Sequence, residues 1–197
     1  MVSQFGYKLV KSYSEFIQNY AENCIKRVIG TLNDGKAEVY FDQGCKISVS
    51  IKIDKYTKTA VIDFTGTSAQ QSDNFNAPEP ITRASVLYCI RCMVDEAIPI
   101  NAGCLKPISI VLPANSMLNP NYPAAVVAGN VEVSQAIADC IFQALNVMAN
   151  SQGTMNNLNF GNDSFQYYET ICGGAGAGNG FNGGNAIHTH MTNTRLT

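Results

Sequence analysis

The stretch that decides the fold is residues 46–64, which read KISVSIKIDKYTKTAVIDF. Over residues 46–53, isoleucines and a valine alternate with lysines and serines, as in a strand with one buried face. A turn follows over residues 54–58, and residues 59–64 alternate again. Because two alternating runs are joined by a short turn, the stretch predicts an antiparallel β-hairpin.

On both sides of the hairpin, apolar residues recur at the three- and four-residue spacing of a helix. The predicted helices and their N-cap residues are 14–30 with Ser14, 82–96 with Thr82 and 131–149 with Asn130. Short apolar runs predict further strands over residues 108–112, 124–128 and 164–172. The predicted fold class is therefore α+β (mixed α/β), with an antiparallel hairpin and buried strands packed against two or three helices.

The chain is poor in charge for its 197 residues. Charged residues make up 14%, against ~25% in a typical soluble domain, and asparagine alone supplies about a tenth. With 46% hydrophobic residues the chain is too apolar for intrinsic disorder, and no apolar run reaches the ~18 residues of a membrane span. A net charge of −2 gives no electrostatic reason to expect nucleic-acid binding. A neutral surface rich in amides suits a buried interface or a polar ligand.

The sequence indicates one unit with a soft internal boundary near residue 66. Residues 1–66 supply a helix and the hairpin, whereas residues 67–197 are rich in asparagine and glycine. The N-terminus lacks the apolar core of a secretory signal and the seven cysteines follow no framework spacing, so we expect free thiols in a cytoplasmic, reducing compartment. Because the sequence stops within the motif-like stretch 188–197, we expect a fragment of a larger chain.

Residues 173–184, GGAGAGNGFNGG, contain a Gly-x-Gly-x-x-Gly pattern at 178–183. A phosphate-binding loop also needs a helix start behind it, and neither a helical pattern nor a Gly-Lys-Ser/Thr ending follows. One interpretation is a stand-alone nucleotide-binding loop. The other is a flexible or closely packed loop that could serve as a lid, with the candidate lid residues Gly173, Gly174, Gly176 and Gly178.

His188 and His190 are the two histidines of the chain. On a strand they would point to the same face, about 7 Å apart along the backbone given the ~3.3 Å rise per residue. That spacing suits a base beside a donor, two metal ligands, or a structural hydrogen-bonding pair. A metal would need a third ligand, and the carboxylates that only folding could bring near are Asp139, Asp163, Glu132 and Glu169.

Two other clusters allow both a structural and a functional interpretation. Residues 130–135, NVEVSQ, place an asparagine cap and Glu132 at a predicted helix start, which satisfies that helix end by itself. The same amides and carboxylate could hold a neutral polar substrate.

The Cys-x-x-Cys at residues 89–92 lies in a predicted helix without a second pair, so buried thiols are a better interpretation than zinc or redox chemistry.

Several segments, taken in order, resemble the hydantoinase B/oxoprolinase family. The segments are YAE at 20–22, VIDFTGTS at 61–68, NFNAP at 74–78, IPINAGCLKP at 98–107, PAAVVAGNVEVSQ at 123–135, SQGTMNN at 151–157, YYETICGG at 167–174 and HTHMTNTR at 188–195. Each motif alone is modest, but their order and co-occurrence cover most of the chain from residue 20 onward. B-type chains of the family are several times longer, and the similarity corresponds to their C-terminal side.

The resemblance implies part of an ATP-dependent cyclic-amide hydrolase, of 5-oxoprolinase or N-methylhydantoinase type, which opens a five-membered lactam or hydantoin ring through a phosphorylated intermediate. It implies ATP with Mg²⁺ bound by an A-type subunit or fused region, not by this chain, and no metal ligand in this chain. It further implies a role in glutathione metabolism, a small cyclic amide as substrate and an oligomer in the full protein. Related members carboxylate ketones, so a carboxylase subunit region is an alternative.

Roles follow from this chemistry as hypotheses. The activated carbonyl needs a deprotonated water, so His188 or His190 is a candidate general base, with Glu132 or Glu169 as the alternative. Amide side chains both donate and accept, and the candidates that would orient the ring are Asn130, Gln135, Asn156 and Asn157. Arg195 would hold a substrate carboxylate or the leaving phosphate. We expect the isolated fragment to be inactive; a rival hypothesis is a non-catalytic structural or interaction module of the same assembly.

Overall fold

The computed structural model describes residues 1–190. Its helices are Val2–Phe5 (α1), Tyr7–Thr31 (α2), Glu79–Cys92 (α3) and Val133–Leu145 (α4), with short 3-10 turns at Ala102–Leu105 and Val127–Gly129. Its strands are Gly35–Tyr40 (β1), Lys46–Asp54 (β2), Thr59–Asp63 (β3), Ile108–Val111 (β4), Asn157–Gly161 (β5), Gln166–Thr170 (β6), Gly174–Ala175 (β7) and Gly184–Asn185 (β8). The predicted α+β class is confirmed.

A four-stranded sheet in the order β1-β2-β3-β4 forms the frame. The first three strands run antiparallel, and β4 joins β3 in parallel with Ile108 opposite Ala60. The alternation in β2 is observed as predicted, because Ile47, Val49 and Ile51 are buried while the intervening polar residues are partly exposed. The predicted hairpin is thus the centre of a larger sheet.

Helix α4 lies in the core and positions the candidate site. It packs against β1, β2 and α3, and eleven of its thirteen residues are buried. Alanines at 136, 138 and 144 allow this close packing because they carry no side chain beyond Cβ. The start of β1 passes so close that a Cβ atom at Gly35 would overlap the carbonyl oxygen of Ala144. The polar side chains of such a helix therefore lie inside the molecule.

The predicted helix starts are wrong for all three long helices. Helix α2 begins at Tyr7, and Ser14 lies inside it, where its Oγ–H donates to the Val10 carbonyl at 2.9 Å. Helix α3 begins at Glu79, because Pro80 in its first turn is preset for helix, and Thr82 is buried inside it. Helix α4 begins at Val133 after Glu132 as N-cap, so Asn130 precedes the cap. None of these three helices has a capping side-chain hydrogen bond.

The strand predictions are partly wrong. Residues 124–128 form no strand, because the Ala125 carbonyl accepts from the Asn76 side chain at 2.9 Å and the Ala128 N–H donates to the Asn74 carbonyl at 3.1 Å. Strands β1 and β5 were not predicted, and β6 is shorter than the predicted run over 164–172. Strands β5 and β6 form their own antiparallel hairpin.

The boundary predicted near residue 66 stays a prediction about composition. In the structure β4, which follows that position, completes the sheet begun by β1 to β3, and one core includes residues from both sides of it.

Among residues 1–190, none of the helices combines the length and the hydropathy that a membrane crossing requires.

Candidate functional site

A buried histidine–aspartate pair lies at the centre of the candidate site. His190 Nε2 and Asp139 Oδ1 are 2.7 Å apart, and the two side chains are 1% and 3% exposed. Asp139 lies in α4, one turn after Gln135 and two turns after Glu132, so the three polar side chains follow one face of that helix. Ionisable groups are almost never this buried unless they are paired, and here the pairing is with each other.

We call residues 150–156 the serine loop, because Ser151 fixes its path. Asp139 accepts two hydrogen bonds from it, from the Ser151 backbone N–H at 2.9 Å and from the Ser151 Oγ–H at 3.0 Å. Further along, the Met155 N–H donates to the Val131 carbonyl at 2.8 Å. The serine loop is therefore held to Asp139 of α4 near one end and to the backbone just before α4 near the other.

His190 is enclosed on its remaining sides by aromatic rings. Its ring lies 5.8 Å from the ring of Tyr88 and 5.4 Å from that of Phe142, measured between centroids. Its backbone N–H donates to the Tyr88 hydroxyl at 2.7 Å. Within residues 1–190 its Nδ1 has no hydrogen-bond partner. Burial raises the pKa of the Tyr88 hydroxyl, so this group stays protonated.

His188 lines a narrow cleft, which we call the histidine cleft. Its lining includes Gln135, Ser151, Thr154, Gly173, Gly174, His188 and Thr189. Its free space is about 10 Å³, room for about one water molecule. Gln135 is buried, and its Nε2 has no partner among the described residues. Gln135 and His188 therefore line one space of water size.

A larger space lies on the other side of the serine loop, and we call it the glutamate cleft. It encloses about 390 Å³ between Phe41, Phe75, Glu132, Asp139 and the serine loop. Burial raises the pKa of the Glu132 carboxyl, opposed by the hydrogen bond that Thr154 Oγ–H donates to Glu132 Oε1 at 2.8 Å. A carboxyl group with a raised pKa beside a cleft is a candidate for proton transfer.

The sequence profile of the Hydantoinase B/oxoprolinase family matches residues 1–197. The chain belongs to this family. The resemblance found in the sequence motifs is thereby confirmed. Two named relatives are similar over the whole chain: 5-oxoprolinase 1 of Arabidopsis thaliana at 42% identity and 5-oxoprolinase of Dictyostelium discoideum at 43%. The chain spans only 17% and 16% of the length of these proteins.

A solved structure extends the comparison to three dimensions. The crystal structure of an ATP-dependent caprolactamase from Pseudomonas jessenii matches with a TM-score of 0.77 at 18% identity. The match covers 94% of this chain and 35% of the caprolactamase chain. At this identity the caprolactamase match establishes a shared fold.

The predicted site residues of this family member fall into two groups. His188, Gln135, Gly173 and Gly174 line the histidine cleft, with His190 buried behind it, and Glu132 lines the glutamate cleft. The others lie elsewhere or are engaged in structural contacts. Asn130 is exposed on the turn before α4. Arg195 lies outside the described residues.

Two predicted amides serve the β5–β6 hairpin. Asn156 Nδ2–H donates to the Ile171 carbonyl at 3.1 Å, and Asn157 Oδ1 accepts from the hydroxyls of Tyr168 and Thr170, both at 3.0 Å. These bonds are structural contacts of the amides. Glu169 is exposed on β6, where it accepts a hydrogen bond from Tyr167, and it lines neither cleft.

The glycine loop packs closely against the segment after α4. Strands β7 and β8 close it into a small hairpin, and the Ala149 N–H donates to the Ala177 carbonyl at 2.7 Å. A Cβ atom at Gly176 would overlap the Ala149 carbonyl oxygen, so glycine is required there. No helix follows the loop within the described residues, and no three His, Cys, Asp or Glu side chains among them are grouped to hold a metal ion. The glycine loop therefore lacks the helix N-terminus that a phosphate-binding loop requires.

Sequence reasoning missed the groups that hold the site together, which are Ser151, Thr154 and Tyr88. The sequence suggested Asp139 only as a possible metal ligand. One signal was available for it: an aspartate within an apolar helix, four residues after Gln135 and seven after Glu132, marks a polar stripe on a buried element. The hydroxyl groups carry no comparable signal, because they contact the stripe only through the path of the folded loop.

Proposed function

We propose that this chain is part of an ATP-dependent cyclic-amide hydrolase of 5-oxoprolinase or hydantoinase type. Such an enzyme opens a five-membered lactam or hydantoin ring through a phosphorylated intermediate. The names of the 5-oxoprolinase relatives support the reaction class. The chain spans about a sixth of those relatives, so the activity belongs to the larger protein and this chain contributes one wall of its site.

One observation carries the proposal: the serine loop separates two clefts, one with His188 and the other with Glu132. Water attacks an activated carbonyl carbon only when a base takes its proton. His188 lines a space of water size, and Glu132 has a raised pKa, so each can take that proton. We assign the base to His188, with Glu132 as the alternative. Glu169 remains a weaker candidate on the outer hairpin.

Recognition of the cyclic amide is assigned to groups with free hydrogen-bonding capacity. A lactam presents one carbonyl acceptor and one N–H donor. Glu132 lines the glutamate cleft, where its second carboxyl oxygen can accept from the ring N–H. Gln135, whose Nε2 has no partner among the described residues, lines the histidine cleft and can donate to a water there. The glutamate cleft has room for a five-membered ring, whereas the histidine cleft has room for about one water. Among the predicted amides, Gln135 therefore has the strongest support as a site residue.

The remaining assignments concern the whole assembly. We assign ATP and Mg²⁺ to the A-type subunit or fused region, because the glycine loop of this chain does not fit a nucleotide. We further propose an oligomeric full protein that acts in glutathione metabolism, and a cytoplasmic location, which the seven free cysteines support. A carboxylase subunit region of the same family is the alternative activity.

The test uses the complete enzyme with its A-type region. His188→Ala should lower the rate of ATP-dependent ring opening by ~10²-fold or more, because the attacking water loses its base. Tyr56→Ala is the control, since Tyr56 is 96% exposed on the turn between β2 and β3. Turnover of His188→Ala equal to that of the control would remove His188 from the mechanism.

A second candidate function is an interaction module of the same assembly without chemistry of its own. The observation that favours it is an exposed apolar face on the first two helices, formed by Phe5, Leu9, Tyr13 and Ile17. If the chain is only a module, variants of both clefts keep full turnover while variants of this face lose assembly.

A further inference from the structure

We propose that Asp139 is a positioning residue, which acts through His190 to fix His188 in the histidine cleft. This inference rests on the role proposed above for His188. The two histidines, which the sequence offered as alternative bases, then have different roles. His188 lines the cleft, and His190 holds the segment that carries His188.

His190 is placed to anchor the chain and not to contact substrate. Its side chain is 1% exposed, Nε2 is engaged with Asp139, and the rings of Tyr88 and Phe142 cover the imidazole. A catalytic base must lie within hydrogen-bond reach of the proton it removes. His188 lines the cleft that has room for a water, whereas His190 is buried and does not line it.

Three bonds hold the two residues that follow His188. Thr189 Oγ–H donates to the Gly174 carbonyl at 3.1 Å, the His190 N–H donates to the Tyr88 hydroxyl at 2.7 Å, and the His190 ring meets Asp139. His190 also has a backbone φ of 49°, which a residue other than glycine seldom adopts. Such a conformation persists only where its surroundings enforce it, and these three bonds are the enforcing contacts.

Asp139 holds the second wall of the histidine cleft as well. Its carboxylate accepts two bonds from Ser151 in addition to the contact with His190. Ser151 and Thr154 of the serine loop line the same cleft as His188. The histidine segment on one side and the serine loop on the other are therefore both fastened to one carboxylate, which sets the width of the space where water would be held.

The geometry also fixes the tautomer that fits this arrangement. A carboxylate accepts, so His190 presents Nε2–H toward Asp139. In Asp139→Asn, the amide oxygen can still accept the hydrogen bond from His190 Nε2–H. The amide NH₂ group can then donate to the Ser151 hydroxyl oxygen. Asp139→Ala can do neither. The pair of variants therefore separates loss of position from loss of charge.

The test measures steady-state kinetics in the complete enzyme. Asp139→Ala should lower kcat by ~10²-fold with little change in KM, because a 1 Å misplacement of a reacting group can cost that much. Asp139→Asn should stay within about threefold of wild type. Asp163→Asn is the matched control, since Asp163 is exposed at the turn between β5 and β6.

Double variants decide whether Asp139 acts through His188. The kcat of Asp139→Ala combined with His188→Ala should be no lower than that of His188→Ala alone, because the imidazole that Asp139 would position is already absent. If the two losses multiply, Asp139 acts independently and the proposal is overturned. If Asp139→Ala does not fold, the same comparison is made with Tyr88→Phe, alone and combined with His188→Ala. Tyr88→Phe removes the acceptor of the His190 N–H but keeps the aromatic ring.

Hydrogen exchange gives a readout that does not depend on activity. The His190 amide should exchange at least about 10-fold faster in Tyr88→Phe and in Asp139→Ala than in Asp163→Asn, since its segment is released. Equal exchange in these variants overturns the positioning role. If His188→Ala is fully active while exchange at His190 still rises, the proposed function fails and the anchoring contact remains.

Discussion

Glu132 differs from the other carboxyl groups of the described chain whose pKa is shifted. Hydrogen bonds from neighbouring donors lower the pKa of the others, which are Glu22, Asp34, Glu38, Asp54 and Glu96. Burial raises the pKa of Glu132, and the single bond from Thr154 only partly offsets it. A base with this raised pKa is protonated over a wider acidic range than an exposed glutamate.

If Glu132 takes part in proton transfer, the rate of ring opening falls as the pH drops through its raised pKa, because the base becomes protonated. Thr154→Val removes the bond that lowers the pKa, so the acidic limb of the kcat/KM profile should move to higher pH. Glu132→Gln should abolish the limb. Glu15→Gln, on the exposed face of α2, is the control; a Glu132→Gln profile that matches this control would remove Glu132 from catalysis.

The sequence offers candidate site residues but does not indicate which residues they contact. His188, Gln135 and Glu132 were chosen for their chemistry, and the structure places all three along the two clefts. The bond between His190 and Asp139 joins residues 51 positions apart, which only the fold brings together. The amide groups of Asn156 and Asn157 suit a substrate by their chemistry, and the structure shows them in hydrogen bonds of the β5–β6 hairpin, which the sequence does not indicate.

Close packing between α4 and β1 is a property of two elements that touch through their backbones. Gly35 begins β1 directly against the carbonyl oxygen of Ala144 in the last turn of α4. No side chain fits between them. The polar stripe of α4, and with it the site, therefore depends on a glycine at residue 35.

Gly35→Ala should destabilise the chain by ~1–3 kcal/mol, because its Cβ atom forces β1 and α4 apart. Gly30→Ala is the matched control near the end of α2, where a Cβ atom would meet only the flexible Lys58 side chain at 3.9 Å. It should be neutral or stabilising by up to ~1 kcal/mol, since alanine favours helix. Urea unfolding of both variants measures the difference; equal stabilities would contradict the packing argument.

Elements with a strong alternating pattern were predictable, and those without one were not. Strands β2 and β3 carry the clear alternation, whereas β1 is half-buried on one face and exposed on the other, so its sequence GKAEVY shows only a weak signal. The starts of α2, α3 and α4 were misplaced because no side chain caps them. Tertiary packing, not a local signal, sets those boundaries.

The molecule as a whole leaves one helical face uncovered. Phe5, Leu9, Tyr13 and Ile17 follow each other at four-residue spacing and are all exposed, while the buried residues of α2 begin only at Ala21. A contiguous apolar face of this kind is typical of an interaction surface. The assembly proposed above predicts that the A-type region binds to this face.

Phe5→Ser combined with Tyr13→Ser should weaken association with the A-type region by at least ~30-fold, because buried aromatic side chains at an interface often contribute ~2 kcal/mol or more. Tyr56→Ser combined with Tyr122→Ser is the matched control, since these tyrosines are 96% and 98% exposed and lie outside that face. Calorimetry of the mixed components measures both. Unchanged binding by the first pair would place the partner elsewhere.

The parallel pairing of β4 with β3 has a consequence for the order of folding. Strands β1 to β3 follow one another along the chain and can pair through local contacts, whereas residues 64–107, which include α3, separate β4 from β3. Closing so long a loop is slow, because its entropy is lost before the contacts form. Until then β3 is an open sheet edge, so a nascent or truncated chain that lacks β4 exposes a surface prone to aggregation.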